Sequence, residues 1–561
     1  MFKKNQYKKN LLVLFVLVFL SFQLSASDKN ISFEPRVSEF VLKNTSSLIY
    51  QIKKRHGLGY ESLENQIYLL DCNSEILLSP SLLEKKDPYA FNKYFQDKLT
   101  SCKKKNEGKK NLKTLLQDKE VYLIIAGESL KSPMSYFGHS LILFLDKKDF
   151  YFSPVISFSA PTENLTPLQQ ITEGGFSFIK AEINAVPLHQ VIDYYSNKES
   201  RKLKFIKISH SIFDKDRLIN HLNDQASRKL TYNFFTKNCS TYLYTALNYS
   251  CDCFIYLPTI VTPYLLEKNI LEQKESSEIF EIDSLFDQFN KHYSSLEKNT
   301  KETVKKMFLS ENSDFFNNDQ AGEIAALASR LSFKSYQRPN NAYKTLIDTY
   351  GKDESLLKSI PYIKNKKINS KSFDEINSSS VKIKVQNEKI AIKFSIVDFD
   401  HFEQRSKHFI SSKLSAGTIE FYKNKNSTRI NSLYLLNIKA ITPINFLTKI
   451  PSWRLKIGID RNPEDNLEAF LSTGIGPSFS LSRTKIYILP SVEISSSVKL
   501  SIYSGIQINS DLISLKYENK NMKDHTLTFH KRENANFGYS YTLLKENMNN
   551  ALHQATLSYY F

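Results

Sequence analysis

Hydrophobic residues recur along this chain at several spacings, and each spacing predicts a different kind of element. Residues 28 to about 118 set apolar positions at helical intervals between lysine-rich loops, as in VSEFVLKNTSSLIYQIKKR and DPYAFNKYFQDKLTSCKKK. From 121 to about 265 the runs VYLIIAG, HSLILFL and FYFSPVISFSA predict strands, with helical stretches after them. Residues 280 to about 365 return to spacings of three and four, in DSLFDQFNKHYSSLEKNTKETVKKMF and AGEIAALASRL, and predict helices. After about 380 the period becomes two.

That last region predicts amphipathic strands. Trp453, Leu455, Ile457 and Ile459 alternate with Arg454, Lys456, Gly458 and Asp460, and Phe537, Tyr539, Tyr541 and Leu543 share one face. A span of this length, at roughly 15 residues per strand and turn, allows about 12 strands, and a membrane-crossing β-strand needs only ~9 to 11 residues. The chain ends ALHQATLSYYF, with Leu557, Tyr559 and Phe561 on one face. This ending resembles the last strand of bacterial outer-membrane barrels. A soluble antiparallel sandwich is the competing expectation.

The N-terminal MFKKNQYKKNLLVLFVLVFLSFQLSASDK has lysines, an apolar stretch from Leu11 to Leu24, then Ser25, Ala26 and Ser27. This is the layout of a secretory signal peptide, and it predicts a mature start near Ser27 or Asp28. No later run reaches the ~18 apolar residues of a spanning helix. Charge adds little: the net +18 comes from lysines scattered over the whole chain. It fits an anionic lipid surface, whereas no zinc-finger spacing, P-loop or RNA-binding signature accompanies it, so no nucleic-acid partner is expected.

Export to an oxidising compartment turns the five cysteines into a counting problem. Cys72 and Cys102 can pair within one segment and Cys251 with Cys253, which leaves Cys239 as the candidate free thiol. His189, His210 and His221 are too dispersed to predict a metal site, so neither metal nor cofactor is expected.

The candidate chemistry sits in two motifs. In SPMSYFGHSLILF, residues 132 to 144, His139 opens a strand and shares a face with Leu141, Leu143 and Leu145, while Ser140, Ile142 and Phe144 take the other. Gly138 before it allows another backbone to come close. In YNFFTKNCSTYLYTALNYS, Asn238 is a good N-cap for a helix that starts at Cys239 and buries Leu243, Ala246 and Leu247. A cysteine in a helix's first turn favours thiolate, and a nearby imidazole completes an ion pair or acts as general base. Ser157, in VISFSA, is the favoured residue to orient the histidine, with Ser153 and Asp149 as alternatives.

SPMSYFGHSLILF, VISFSA, GGF at 174 to 176 and YNFFTKNCSTYL, in this order, resemble the Lnb N-terminal periplasmic domain family, relatives of permuted NlpC/P60 and lecithin:retinol acyltransferase-like proteins. The resemblance covers roughly residues 40 to 270. It implies an α+β fold class: a circularly permuted papain-like (NlpC/P60-like) domain with helical flanking regions, followed here by an antiparallel β-barrel. It also implies that His139 and Cys239 are the catalytic pair; Ser157, Asn238 and Gly138 are the candidate orienting or supporting residues on the reading of the motifs themselves. The expected organisation is a signal peptide over 1–27, a helical region over 28–118, the papain-like domain over 119–270, a helical linker over 271–375 and the barrel over 376–561.

The activity this implies is thiol acyl transfer, from a phospholipid donor to an amine, the N-terminus of a lipoprotein, with the barrel in the outer membrane and the catalytic domain in the periplasm. Two alternatives stand beside it. One is a cell-wall peptidase or amidase of NlpC/P60 type, and the other is a non-catalytic outer-membrane scaffold.

Overall fold

The computed structural model describes most of the chain between Leu112 and Tyr560; residues 1–111, Phe561 and several connecting segments, the longest being 128–137, 161–173, 252–260, 310–318, 337–379 and 401–410, lie outside the described residues. The expected signal peptide, most of the N-terminal helical region, Cys72, Cys102, Asp149, His210 and Cys253 are among those outside.

The first unit is a seven-stranded sheet. Its strands are β1 (Glu120–Ala126), β2 (His139–Leu145), β3 (Pro154–Ser159), β4 (Ile179–Pro187), β5 (Leu203–Lys207), β6 (Leu230–Tyr232) and β7 (Ile279–Ile282). Their order is β6-β4-β3-β2-β1-β5-β7, and neighbours are antiparallel. β7 lies beyond residue 270, so the sheet takes a strand from the stretch expected to be helical linker.

β1 and β2 read as unbroken apolar runs because both faces of the sheet are covered. On one face Ile142, Phe144, Ile156 and Phe158 pack with Leu243, Ala246 and Leu247 of the helix Cys239–Cys251 and with Leu218 and Leu222 of the helix Lys215–Ser227. On the other, Leu141, Leu143 and Leu145 join Tyr122, Ile124, Leu203, Phe205 and Phe280. This second face is closed by a π-helical turn, Ile192–Lys198.

Three helices follow, Leu285–Ser294, Lys298–Leu309 and Asp319–Tyr336. The first is fixed by a capping box, in which the Ser284 hydroxyl accepts from the Asp287 N–H at 3.1 Å. Their core of Phe289, Val304, Met307, Ala325 and Leu331 also takes in Leu447, from the second unit. The first and third of these helices pack against the π-helical turn.

The second unit is a closed barrel. β8 (Ser380–Gln386), β9 (Lys389–Asp400), β10 (Ser411–Lys423), β11 (Thr428–Ile441), β12 (Ser452–Arg461) and β13 (Leu467–Gly476) form an antiparallel meander. After Pro477 come β14 (Ser478–Leu481), β15 (Thr484–Ile494), β16 (Val498–Asn509), β17 (Ser514–Lys520), β18 (Asp524–Arg532), β19 (Phe537–Glu546) and β20 (Asn550–Tyr560). β20 returns to pair with β8, and β13 and β14 both pair with β15 as two halves of one interrupted strand, so the ring counts 12 strands.

The barrel is apolar outside and polar inside. Ile383, Ile392, Phe394, Ile488, Ile502, Phe537, Tyr539, Leu557 and Tyr559 are exposed on its wall. Lys382, Lys393, Ser395, Glu420, Gln507 and His530 are buried. Lys439 on β11 reaches Tyr487 and Glu518 on β15 and β17, and the Arg454 guanidinium on β12 lies 3.6 Å from the centroid of the Tyr503 ring on β16. These strands are not neighbours, so those side chains cross the lumen. A polar lumen inside an apolar wall is the arrangement of barrels whose outside faces lipid. Among the described residues no helix is long and apolar enough to cross a membrane.

Candidate active site

Asn238 starts the helix that carries the candidate nucleophile. Its Oδ1 accepts from the Thr241 N–H at 3.0 Å, capping the first turn, and its Nδ2 donates to the carbonyls of Phe234 and Val261 at 3.0 and 2.9 Å. Cys239 is therefore the first residue of the helix, where first-turn N–H groups without intrahelical partners and the helix dipole favour negative charge. It is a buried free thiol, whereas Cys251 at the other end of the helix is held in a disulfide.

β2 supplies the partners. Burial is the largest single influence and pushes the Cys239 thiol up, but the charge of the adjacent His139 imidazole, together with hydrogen bonds from His139 and from the Ser140 backbone and hydroxyl, outweighs it. The net result is a thiol lowered to about 6. Ser140 points to the helix side of the sheet, where its hydroxyl lies 2.9 Å from that of Ser240; the Ser240 oxygen is 3.9 Å from the Cys239 sulfur.

His139 is held from the other side of the sheet. Its Nε2 lies 3.1 Å from the Ser157 hydroxyl on β3. Of the alternatives to Ser157, Ser153 instead accepts from the Asp146 N–H at 2.9 Å. The Tyr195 ring stacks on the imidazole, with centroids 5.6 Å apart and planes 23° from parallel. Tyr195 is itself fixed by Arg201, whose guanidinium lies 5.3 Å from the ring centroid and pairs with Glu199 at 2.6 Å.

Two glycines fit their backbones to this arrangement. Gly138 has φ +76°, and a Cβ there would sit 3.0 Å from the Ala126 carbonyl oxygen of β1. Gly174, in the GGF motif, lies under the Phe234 ring, so close that a Cβ would fall 1.8 Å from a ring carbon. The Phe234 N–H donates to the Gly174 carbonyl at 2.8 Å, which joins the GGF motif to the cysteine motif.

The structure thus brings His139, Ser157, Gly138, Asn238 and Cys239 into one place. It adds residues to which the sequence reading gave no role: Tyr195, Ser140, Ser240 and Tyr232. Tyr232 ends β6, and its phenol faces both the backbone N–H and the thiol of Cys239; burial and the nearby sulfur push its ionisation well above the usual phenol range. Ser140 carried a readable signal, since it breaks the apolar pattern on the helix-facing side of β2. Tyr195 reaches the site only through the fold, whereas Tyr232 opens the cysteine motif itself without any spacing that marks its role. Among the described residues no cluster of three or more His, Cys, Asp and Glu is placed to hold a metal ion.

The residues around this site match a known domain family. Residues 109–259 match the Lnb N-terminal periplasmic domain, and residues 408–523, within the barrel, match a domain of unknown function (DUF7840). No curated protein matches the chain. The chain therefore carries an Lnb N-terminal periplasmic domain, with His139 and Cys239 inside the matched segment, joined to a closed 12-strand β-barrel.

Proposed function

We propose that this protein is a thiol acyltransferase of the bacterial outer membrane, with its catalytic domain in the periplasm. It moves an acyl chain from a phospholipid through a Cys239 thioester to an amine, the N-terminus of a lipoprotein. The observation that carries this reading is the buried Cys239 thiol, lowered to about 6 beside His139 at a helix N-terminus. Such a thiol is largely thiolate at neutral pH. The Lnb family match supports the lipoprotein acceptor, and the apolar barrel wall supports a lipid donor close at hand.

Ser157 engages Nε2, which leaves Nδ1 of His139 to take the thiol proton. The thiolate attacks a phospholipid ester carbonyl, forming a C–S bond and an oxyanion. In this reading the Cys239 backbone N–H, which donates to the Tyr232 phenol in the resting site, and the Tyr232 hydroxyl are the donors to that oxygen. Collapse breaks the C–O bond, and the leaving alkoxide takes the proton from the imidazolium, releasing a lysophospholipid. The acceptor amine then attacks the thioester and gives its proton to His139. The C–S bond breaks, an amide forms and the thiolate returns.

The test is intact-protein mass spectrometry of the full chain incubated with defined phospholipid vesicles. The expected result is a hydroxylamine-labile, acyl-sized adduct on the wild type that is missing from Cys239→Ala and His139→Ala. Absence of the adduct from folded wild type, together with cleavage of cell-wall peptides, would replace this reading with the hydrolytic one.

A further inference from the structure

One short segment ties the candidate active site to the outside of the barrel. The Asn238 side chain holds the carbonyl of Val261, and the next residue, Thr262, caps the helix Pro263–Glu272 by accepting from the Leu265 N–H at 3.1 Å. Pro263 lies against the glycine before the histidine, with its Cγ 3.5 Å from where a Gly138 Cβ would be. Farther along this helix, Leu266 and Ile270 enter the core around Cys239. Tyr264 instead packs on a barrel cluster that includes Val397, Leu414, Leu436 and Ile438, beside Trp453.

That cluster is on the outer wall. Lys439 and Arg454 point into the lumen, so Ile438 and Trp453, next to them in sequence, point outward. The cluster lies near the end of β9 and the start of β10, at the rim where β8 begins and β20 ends. Along β9 the wall changes from open to covered: Ile392, Phe394 and Ile396 are 48%, 38% and 40% exposed, whereas Val397 is 1% and Leu414 beside it 0%. The open apolar wall thus borders the seam where Tyr264 packs on the covered cluster.

We infer that this seam is the intake for the acyl donor, a diacyl phospholipid of the leaflet around the barrel; the inference rests on the acyltransferase reading above. The acyl chains lie along the outer wall of β9 and β10. Tyr264 is the positioning residue that guides them, and the Pro263–Gly138 contact brings the ester to the edge where His139 and Cys239 meet. Lateral intake keeps the chains out of water for the whole path, which a donor drawn through the periplasm would not do.

Trp453 is the chain's single tryptophan, so its emission reports on the seam alone. Full-length protein is reconstituted in phosphatidylcholine vesicles and in vesicles of the acyl-chain-dibrominated lipid. Strong quenching in the brominated vesicles is expected; unchanged emission would overturn the intake. The second arm compares Cys239 acylation by vesicle lipid with acylation by water-soluble p-nitrophenyl butyrate. Tyr264→Ser is expected to slow the lipid reaction by at least about tenfold while the soluble ester stays within about twofold, and Tyr264→Phe is expected to behave as wild type. Equal losses on both donors, or loss on neither, would also overturn it, as would a wild type labelled by the ester but not by lipid. If wild type is labelled by neither donor while Trp453 is quenched, acyl transfer is what fails, and the seam stands as a lipid contact.

Discussion

The Ser157 hydroxyl on β3 lies 3.1 Å from Nε2 of His139 on β2, on the face of the sheet away from the cysteine helix. The imidazole is thereby gripped by its sheet neighbour while its charge acts on a thiol at the end of a helix packed on the opposite face. Ser157→Ala removes that grip. A hydrogen bond to a group that becomes charged is worth about 1.5–3 kcal/mol, so acyl transfer is expected to fall about 10- to 100-fold with the thermal midpoint little changed. Rates and melting curves of the two proteins check this.

The pH profile follows from the lowered thiol. The reactive form is the thiolate, so alkylation of Cys239 by iodoacetamide is expected to be level above its pKa of about 6 and to fall as pH drops below it. In His139→Ala the burial remains but the neighbouring charge is gone. The midpoint is then expected to move up, past the ordinary thiol value of about 8.5. A profile that stays near 6 in the variant would show that another group sets the thiol.

Asn238→Ala removes the N-cap of the nucleophile helix and both donors that hold the Phe234 and Val261 carbonyls. A stability loss of about 1–3 kcal/mol is expected, and it is read from thermal unfolding of the full chain in detergent.

Gly138→Ala places a Cβ where φ is +76° and the Ala126 oxygen is 3.0 Å away. The left-handed backbone alone costs about 1–2 kcal/mol, and any relief moves the residue that precedes His139. Activity is expected to fall more than stability does, which parallel assays of both will show.

Ile488 lies mid-strand on the outer wall of β15, between the buried Tyr487 and Leu489. If that wall faces lipid, Ile488→Arg is expected to destabilise the barrel by about 2–4 kcal/mol. The heat at which the folded band disappears in unboiled gel electrophoresis measures it, and an unchanged transition would argue for a wall in water.

Much of this architecture could be read from periodicity. The apolar runs of β1 and β2 and the two-residue period after 380 follow from side chains alternating across a strand, which is a local rule. The N-cap at Asn238 was equally local, because the capping side chain reaches only three residues along the chain. The cysteine and histidine motifs stood out for the same reason, as polar residues at the ends of apolar elements.

Local patterning thus fixed the kind of each element and marked the residues able to do chemistry. Tertiary structure alone decided which of them meet. β7 crosses from beyond the cysteine helix to complete the sheet on β5, and β20 closes the barrel on β8, pairings that no spacing along the chain announces. The Ser140–Ser240 contact and the stacking of Tyr195 on His139 bring the histidine strand, the cysteine helix and the π-helical turn together, and Tyr264 joins that site to the barrel wall. The physical reason is one of range. Propensity, capping and face alternation act over a few residues, whereas these contacts are selected by burial between segments far apart in the chain, as in the pairing of Ser380 with Tyr560 that closes the barrel.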